Sequence, residues 1–280
     1  MYWVPLHTDM AKFTNKNNRG KQLGLVEATS VAFKALMPAA AGAIISVYSY
    51  DVLFLLIIFI CTSSIIPLMT VPRTRERFRW SYLRTWKEFF SKRRRNTVMA
   101  YMGDGAENVI GIIVWPVFMW EVVNKSYLEV GILSTLVITV TVLFQLALGK
   151  FTDKKDKKKM LKTGTFLYSL GWIAKIFVAT AFHIFVVSTY HNLAKIFTRT
   201  PFDVMTYEKA ADQGHFVDEY TVIHEMAVNF GRVLMLLVVL VFVSYFPLEW
   251  SFVLGALAAF SLNFLTPERG MSQKRQTGEE

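Results

Sequence analysis

The chain has 280 residues, of which 53% are apolar, with 23 Phe, 12 Met and a mean hydropathy of +0.35. That concentration of oily side chains excludes an ordinary soluble domain and is the composition of a membrane protein. Lys and Arg number 31 against 21 Asp and Glu, and the lone Cys61 excludes an intrachain disulfide or a cysteine-rich metal site.

Apolar runs of roughly twenty residues, enough to cross about 30 Å of hydrocarbon, fall at 25–46, 52–71, 98–122, 129–149, 161–180, 182–200, 219–243 and 248–266. They predict an all-α, polytopic transmembrane helix bundle of eight spans. The opening MYWVPLHTDMAKF lacks the pattern of a cleaved leader, so insertion by the spans themselves is expected. The fifth and sixth runs have no polar break between them. One helix of that length would overshoot the bilayer, which predicts a tight turn near Ala179 to His183.

The bases test this reading, because short loops rich in Lys and Arg stay in the cytoplasm. With both termini inside, the cytoplasmic stretches are 12–21, 72–97, 150–162, 195–209 and the tail after 266. They hold all but four of the 31 bases, the exceptions being Lys34, Lys125, Lys175 and Arg232. In the 72–97 loop, Arg77, Trp80, Arg84 and Lys87 fall at helical spacing beside Phe78, Tyr82, Trp86, Phe89 and Phe90. This suits an amphipathic helix at the inner headgroup layer better than a nucleic-acid surface, so membrane lipids are expected partners and nucleic acid is not.

Ionisable residues inside spans are costly and mark functional candidates. In the third span Asp104, Glu107, Asn108 and Gly111 share one helical face. Asp104 lies close enough to the basic run to cap or snorkel, whereas Glu107 and Asn108 lie deeper. In the seventh, Glu225, Asn229 and Arg232 repeat along one face beside Tyr220 and His224. Glu225 and Arg232 are too far apart to pair directly, so each calls for a partner on another helix or a ligand. The two readings are an internal salt-bridge network and a substrate or proton-coupling site. Lys34 and Lys175 are cations in apolar runs that either snorkel, neutralise Glu107 or Glu225, or bind an anionic substrate. His191 with Lys195 one turn on reads as a pore-lining pair, and His183 as part of an external turn. No His and carboxylate set has metal-ligand spacing.

Pro38 with Gly42 in MPAAAGAII, Pro116, and Gly231 beside Arg232 predict kinks or close helix approach, and the small-residue face suits helices that rock against one another. P-loop, HExxH and GxSxG patterns are absent; neither an enzyme nor a cofactor is expected.

GKFTDKKDKKK, with Gly149, Asp153, Lys154, Lys157 and Lys158, is similar to the cytoplasmic loop motif of major facilitator superfamily permeases, with Asp156 in place of its second Gly. NRGKQLG followed by MPAAAG, with Arg19, Gly20, Gly24, Pro38 and Gly42, resembles their fourth loop and fifth span, with Met37 in place of a Gly. The whole chain resembles spans five to twelve of such a twelve-span carrier. The resemblance implies a division into 1–71, the last two helices of the N-terminal half; 72–97, the central loop; 98–268, the six-helix C-terminal half; and 269–280, a cytoplasmic tail. It also implies a cytoplasmic gate at Gly149 to Lys158 and an incomplete bundle whose partner is a missing four-helix segment or a second copy. The expected function is secondary active transport of a small polar or amphiphilic solute at the plasma (inner) membrane, by alternating access and open to proton coupling. The alternative is a non-transporting membrane scaffold.

Overall fold

The computed structural model describes residues 19–70, 80–148, 157–211 and 217–265. Among them there is no strand. The helices are α1 (Arg19–Val47), α2 (Tyr50–Ser63), α3 (Ile65–Leu68), α4 (Tyr82–Phe89), α5 (Arg95–Val109), α6 (Trp115–Val122), α7 (Tyr127–Leu148), α8 (Lys157–Ala174), α9 (Ala181–Ala211), α10 (Val217–Val243) and α11 (Ser251–Ser261). A π-helical turn at Ile110–Val114 joins α5 to α6, and a 3-10 turn at Lys175–Phe177 ends α8. Within the described residues each predicted apolar run is largely helical, and the break between the fifth and sixth falls directly after Phe177, before α9 begins at Ala181.

Tyr50–Leu68, Arg95–Val122, Tyr127–Phe144 and Glu219–Val243 are long and apolar enough to cross a membrane, while Phe33–Val47 and Leu248–Phe264 are shorter apolar helices. The runs in α8 and α9 do not meet that standard. They carry charges, including Lys195, Arg199 and Asp203, which a helix tolerates where other helices cover it.

The sequence reading placed 195–209 in a cytoplasmic loop. Instead α9 continues through Pro201 to Ala211. At about 1.5 Å per residue such a helix is longer than the hydrocarbon is thick. The bases assigned to orientation are engaged in packing: Lys209 Nζ, for example, donates to Thr97 Oγ1 at 2.8 Å.

The described residues form two compact units. One contains α1 to α3, α6, α7 and the first turns of α9. Here α1 and α7 approach backbone to backbone: a Cβ on Gly42 would meet the Tyr127 carbonyl, and one on Gly131 the Pro38 carbonyl. Pro38 lacks the N–H of a regular turn, and the next amide, Ala39, donates out of the helix to Thr135 Oγ1 at 3.1 Å. The small-residue face read from MPAAAG is thus a contact face. Ser49 caps α2 by accepting from the Val52 amide, yet α2 buries no side chain. Asn124 and Lys125 turn the chain into α7 with positive φ, and the Lys125 amide closes back on the Trp120 carbonyl at 2.7 Å.

The second unit contains α4, α5, α8, the remainder of α9, α10 and α11. Gly105 of α5 faces the Val228 carbonyl of α10, and Gly231 of α10 faces the Met102 carbonyl of α5. This reciprocal pair makes α5 and α10 a tightly packed couple. On α8, Leu161, Gly164, Thr165, Tyr168, Gly171 and Trp172 form a buried stripe of three- and four-residue spacing. Part of it meets the last helix: Thr165 Oγ1 bonds Asn263 Oδ1 at 2.9 Å and Ser169 Oγ donates to the Ala256 carbonyl at 3.1 Å. The short helix α4 carries the aromatics of the amphipathic segment, and Phe89 is its buried anchor, 6.3 Å from the Phe230 ring of α10. Arg77 and Phe78 lie outside the described residues.

Candidate functional site

The polar face of α5 turns into the second unit. Glu107, 2% exposed, accepts a hydrogen bond from the Tyr168 hydroxyl of α8. Lys195 Nζ of α9 lies 3.5 Å from the same Glu107 oxygen. One turn earlier, buried Asp104 pairs with the Arg199 guanidinium of α9, whose Nε is also 3.3 Å from Asp203 Oδ1. Asp104 and Glu107 come from α5 and their cations from α9, which also supplies Asp203. A buried charge is tolerable when such a partner offsets its desolvation. Arg199 and Lys195 remain 40% and 38% exposed, so the network opens on the α9 side.

Above Glu107 the network becomes aromatic. The His191 ring sits 4.5 Å from those of Tyr168 and Trp172. Lys175 is buried, with Nζ 3.8 Å from the Trp172 ring centroid and 4.3 Å from that of Trp115. The sequence placed Lys175 within the fifth apolar run. It stands at the end of α8, where the helix tightens into a 3-10 turn. The indoles, rather than Glu107 or Glu225, are its direct contacts, an arrangement worth about 2 kcal/mol or more when desolvated.

The π turn begins three residues after Glu107, a little less than one helical turn, and precedes Pro116. Proline has no N–H to offer the carbonyl four residues back, and the wide turn, closed by the Trp115 amide on the Ile110 carbonyl, absorbs the gap. Asn108 is half-buried beside Glu107 on α5.

The α10 stripe behaves differently. Asn229 donates to the Glu225 carbonyl at 2.8 Å, and Arg232 donates to Asn229 Oδ1 at 3.1 Å. Both bonds stay within the helix. Glu225 is 3.7 Å from His224 Nδ1, and the His224 ring stands edge-on to Tyr101 at 4.4 Å. Arg232 Nε is buried without a hydrogen-bond partner.

Lys34 is exposed on α1. Lys157 and Lys158 open α8 with exposed side chains, while Gly149, Asp153 and Lys154 of the gate motif lie outside the described residues. Among the described residues no group of three or more His, Cys, Asp or Glu side chains is placed to hold a metal.

Tyr168, Trp172, Trp115, Arg199 and Asp203 were not singled out from the sequence. One signal was available: His191, Lys195, Arg199 and Asp203 recur every fourth residue, the spacing of one helical face. Counting Lys195 and Arg199 as loop bases hid it.

A helical bundle with apolar spans and an inward-facing acid and base network has the build of a solute carrier. A family model described as the Major Facilitator Superfamily matches residues 96–280. The chain belongs to the Major Facilitator Superfamily. It is an integral membrane protein and a transporter of the major facilitator type, a non-enzyme class. The match covers α5 to α11, the helices that supply every member of the Glu107 network in this facilitator. No curated protein matches the chain.

Proposed function

We propose that this facilitator carries out secondary active transport of a small polar or amphiphilic solute by alternating access, with Glu107 as the coupling carboxylate. The observation that carries the reading is the buried Glu107, held between the Tyr168 hydroxyl and the half-exposed Lys195. A carboxylate at such a junction exchanges its Lys195 partner for a proton or a solute group when α9 moves, and so links solute passage to charge movement. Asp104, Asn108, His191 and Lys175 complete the pathway. Glu225, Asn229 and Arg232 form its flank on α10, and Lys34 a further candidate cation on α1.

Residues 98–268 constitute the C-terminal six-helix half, 1–71 spans five and six, 72–97 the central loop and 269–280 the tail, with both termini cytoplasmic and the chain in the plasma (inner) membrane. The family match beginning at residue 96 and the concentration of bases in alternate connections support this layout. The loop from Gly149 to Lys158 is its cytoplasmic gate. Pro38, Gly42, Pro116 and Gly231 supply the close contacts and kinks on which helices rock.

Proteoliposomes holding the purified chain, assayed with a panel of labelled solutes under an imposed proton gradient, test the reading. Gradient-driven uptake abolished by Glu107→Gln is the expected result. Uptake that is unaltered by Glu107→Gln overturns the coupling assignment. Uptake by no solute, whether the chain is alone or co-expressed with a four-span N-terminal segment or as a dimer, favours the scaffold alternative.

A further inference from the structure

At the end of α8 two buried ring nitrogens without hydrogen-bond partners lie beside a buried lysine whose ammonium rests on indole faces. Trp172, 0% exposed, has an indole N–H with no hydrogen-bond partner. His191, 4% exposed, presents Nδ1 likewise unpartnered, with its ring 4.5 Å from that of Trp172. Lys175, 2% exposed, has its ammonium against the Trp172 and Trp115 rings, with no carboxylate in ion-pair contact among the described residues. Each unpartnered buried nitrogen costs about 1–3 kcal/mol, and their coincidence with Lys175 around one indole needs a common cause. The acids nearby do not supply it: Glu107 is held by Tyr168 and Lys195, and Asp104 by Arg199.

We propose that Lys175, Trp172 and His191 form the binding subsite for the anionic head of the transported solute, and that this solute is an organic carboxylate. The Trp172 N–H and the Lys175 ammonium can only donate, and His191 donates in its Nδ1–H tautomer, so together they select an acceptor-only group, which an ionised carboxylate is. The indole walls favour an organic anion over a strongly hydrated inorganic one, because stripping water from a compact multivalent ion costs more. Lys195 and Arg199, half exposed on the open side of the network, are the first cations an entering anion meets, and Lys175 is the last. The subsite deepens the transport reading and rests on it.

The test uses the full chain in detergent, with benzoate as the probe, benzamide as its neutral isostere and inorganic phosphate as the hydrated anion. Benzoate is expected to quench tryptophan emission and raise the melting temperature saturably, and benzamide and phosphate to do neither. Lys175→Met weakens benzoate binding more than tenfold. Trp172→Phe keeps an aromatic ring, removes the N–H and weakens it by about tenfold to a hundredfold, the size of one charge-assisted hydrogen bond. If Lys175→Met does not fold, Trp172→Phe decides. Equal responses to benzoate and benzamide, a response to phosphate alone, or benzoate affinity unchanged by Trp172→Phe overturns the subsite. Glu107-dependent uptake of an amine by a chain that ignores benzoate overturns this inference alone. Lys175-dependent benzoate binding without uptake of any solute overturns the transport reading and leaves the subsite standing.

Discussion

Two helices of the second unit carry polar stripes of nearly the same spacing, and they are used in opposite ways. On α5, Asp104 and Glu107 cross to α9 and α8 and are buried. On α10, Asn229 and Arg232 bond along their own helix, and Glu225 is 36% exposed. A polar group inside an apolar helix must find a partner, but the partner can lie on another helix or one turn away. Only the first kind ties helices together and responds when they move. The difference follows from the opposing faces. α9 offers Lys195 and Arg199 to α5, whereas α5 meets α10 through Gly105, Gly231 and backbone, and the side chains that cross there are Tyr101 against Tyr220 and His224, which bring no charge to Asp104 or Glu107.

The largest expected effect on this contrast comes from Glu107→Gln, which removes the charge Lys195 faces and lowers gradient-driven uptake by on the order of tenfold or more. Next is Arg199→Ala, which strips Asp104 of its cation. Removing one partner of a buried pair costs about 3–5 kcal/mol, and Arg199's partial exposure brings the expected loss in thermal denaturation to about 2 kcal/mol. Asp104→Asn added to Arg199→Ala restores part of it, since the orphaned charge goes too. Gly231→Leu drives a side chain into the Met102 carbonyl and destabilises the couple by about 1–3 kcal/mol, read as a lower melting temperature. The smallest is Glu225→Gln. Its exposed, local contacts predict a change below about 1 kcal/mol and uptake within about twofold of the parent. A loss as large as that of Glu107→Gln would erase the distinction between the stripes.

The helices could largely be read from the sequence, because runs of apolar residues are a one-dimensional signal. The break after Phe177 was legible from length alone. The end of α9 was not: Lys195, Arg199 and Lys209 look like loop bases until Asp104, Glu107 and Thr97 are seen opposite them. The same limit applies to the site. Spacing located the faces of α5 and α10 equally well but carried no information about what each face meets. Lys175 stood out as an isolated cation, while its aromatic cage comes from Trp115 and Trp172, whose convergence depends on how Trp115, at the start of α6, packs on α8.

That convergence depends on phase. Glu107 and Trp115 would lie about 80° apart around the axis of an uninterrupted α-helix, at about 100° per residue. The extra residue held in the Ile110–Val114 turn takes up about 100° of rotation, leaving the two within about 20° on the same side. The turn thus works as a one-residue gear tooth, setting the carboxylate and the indole that caps Lys175 on a single meridian. Straightening that turn into regular α-helix with every residue kept would swing Trp115 about 100° off the meridian, separating the acidic and cationic ends of the network without altering either one's chemistry, whereas deleting Ile112 would remove the tooth and keep the phase.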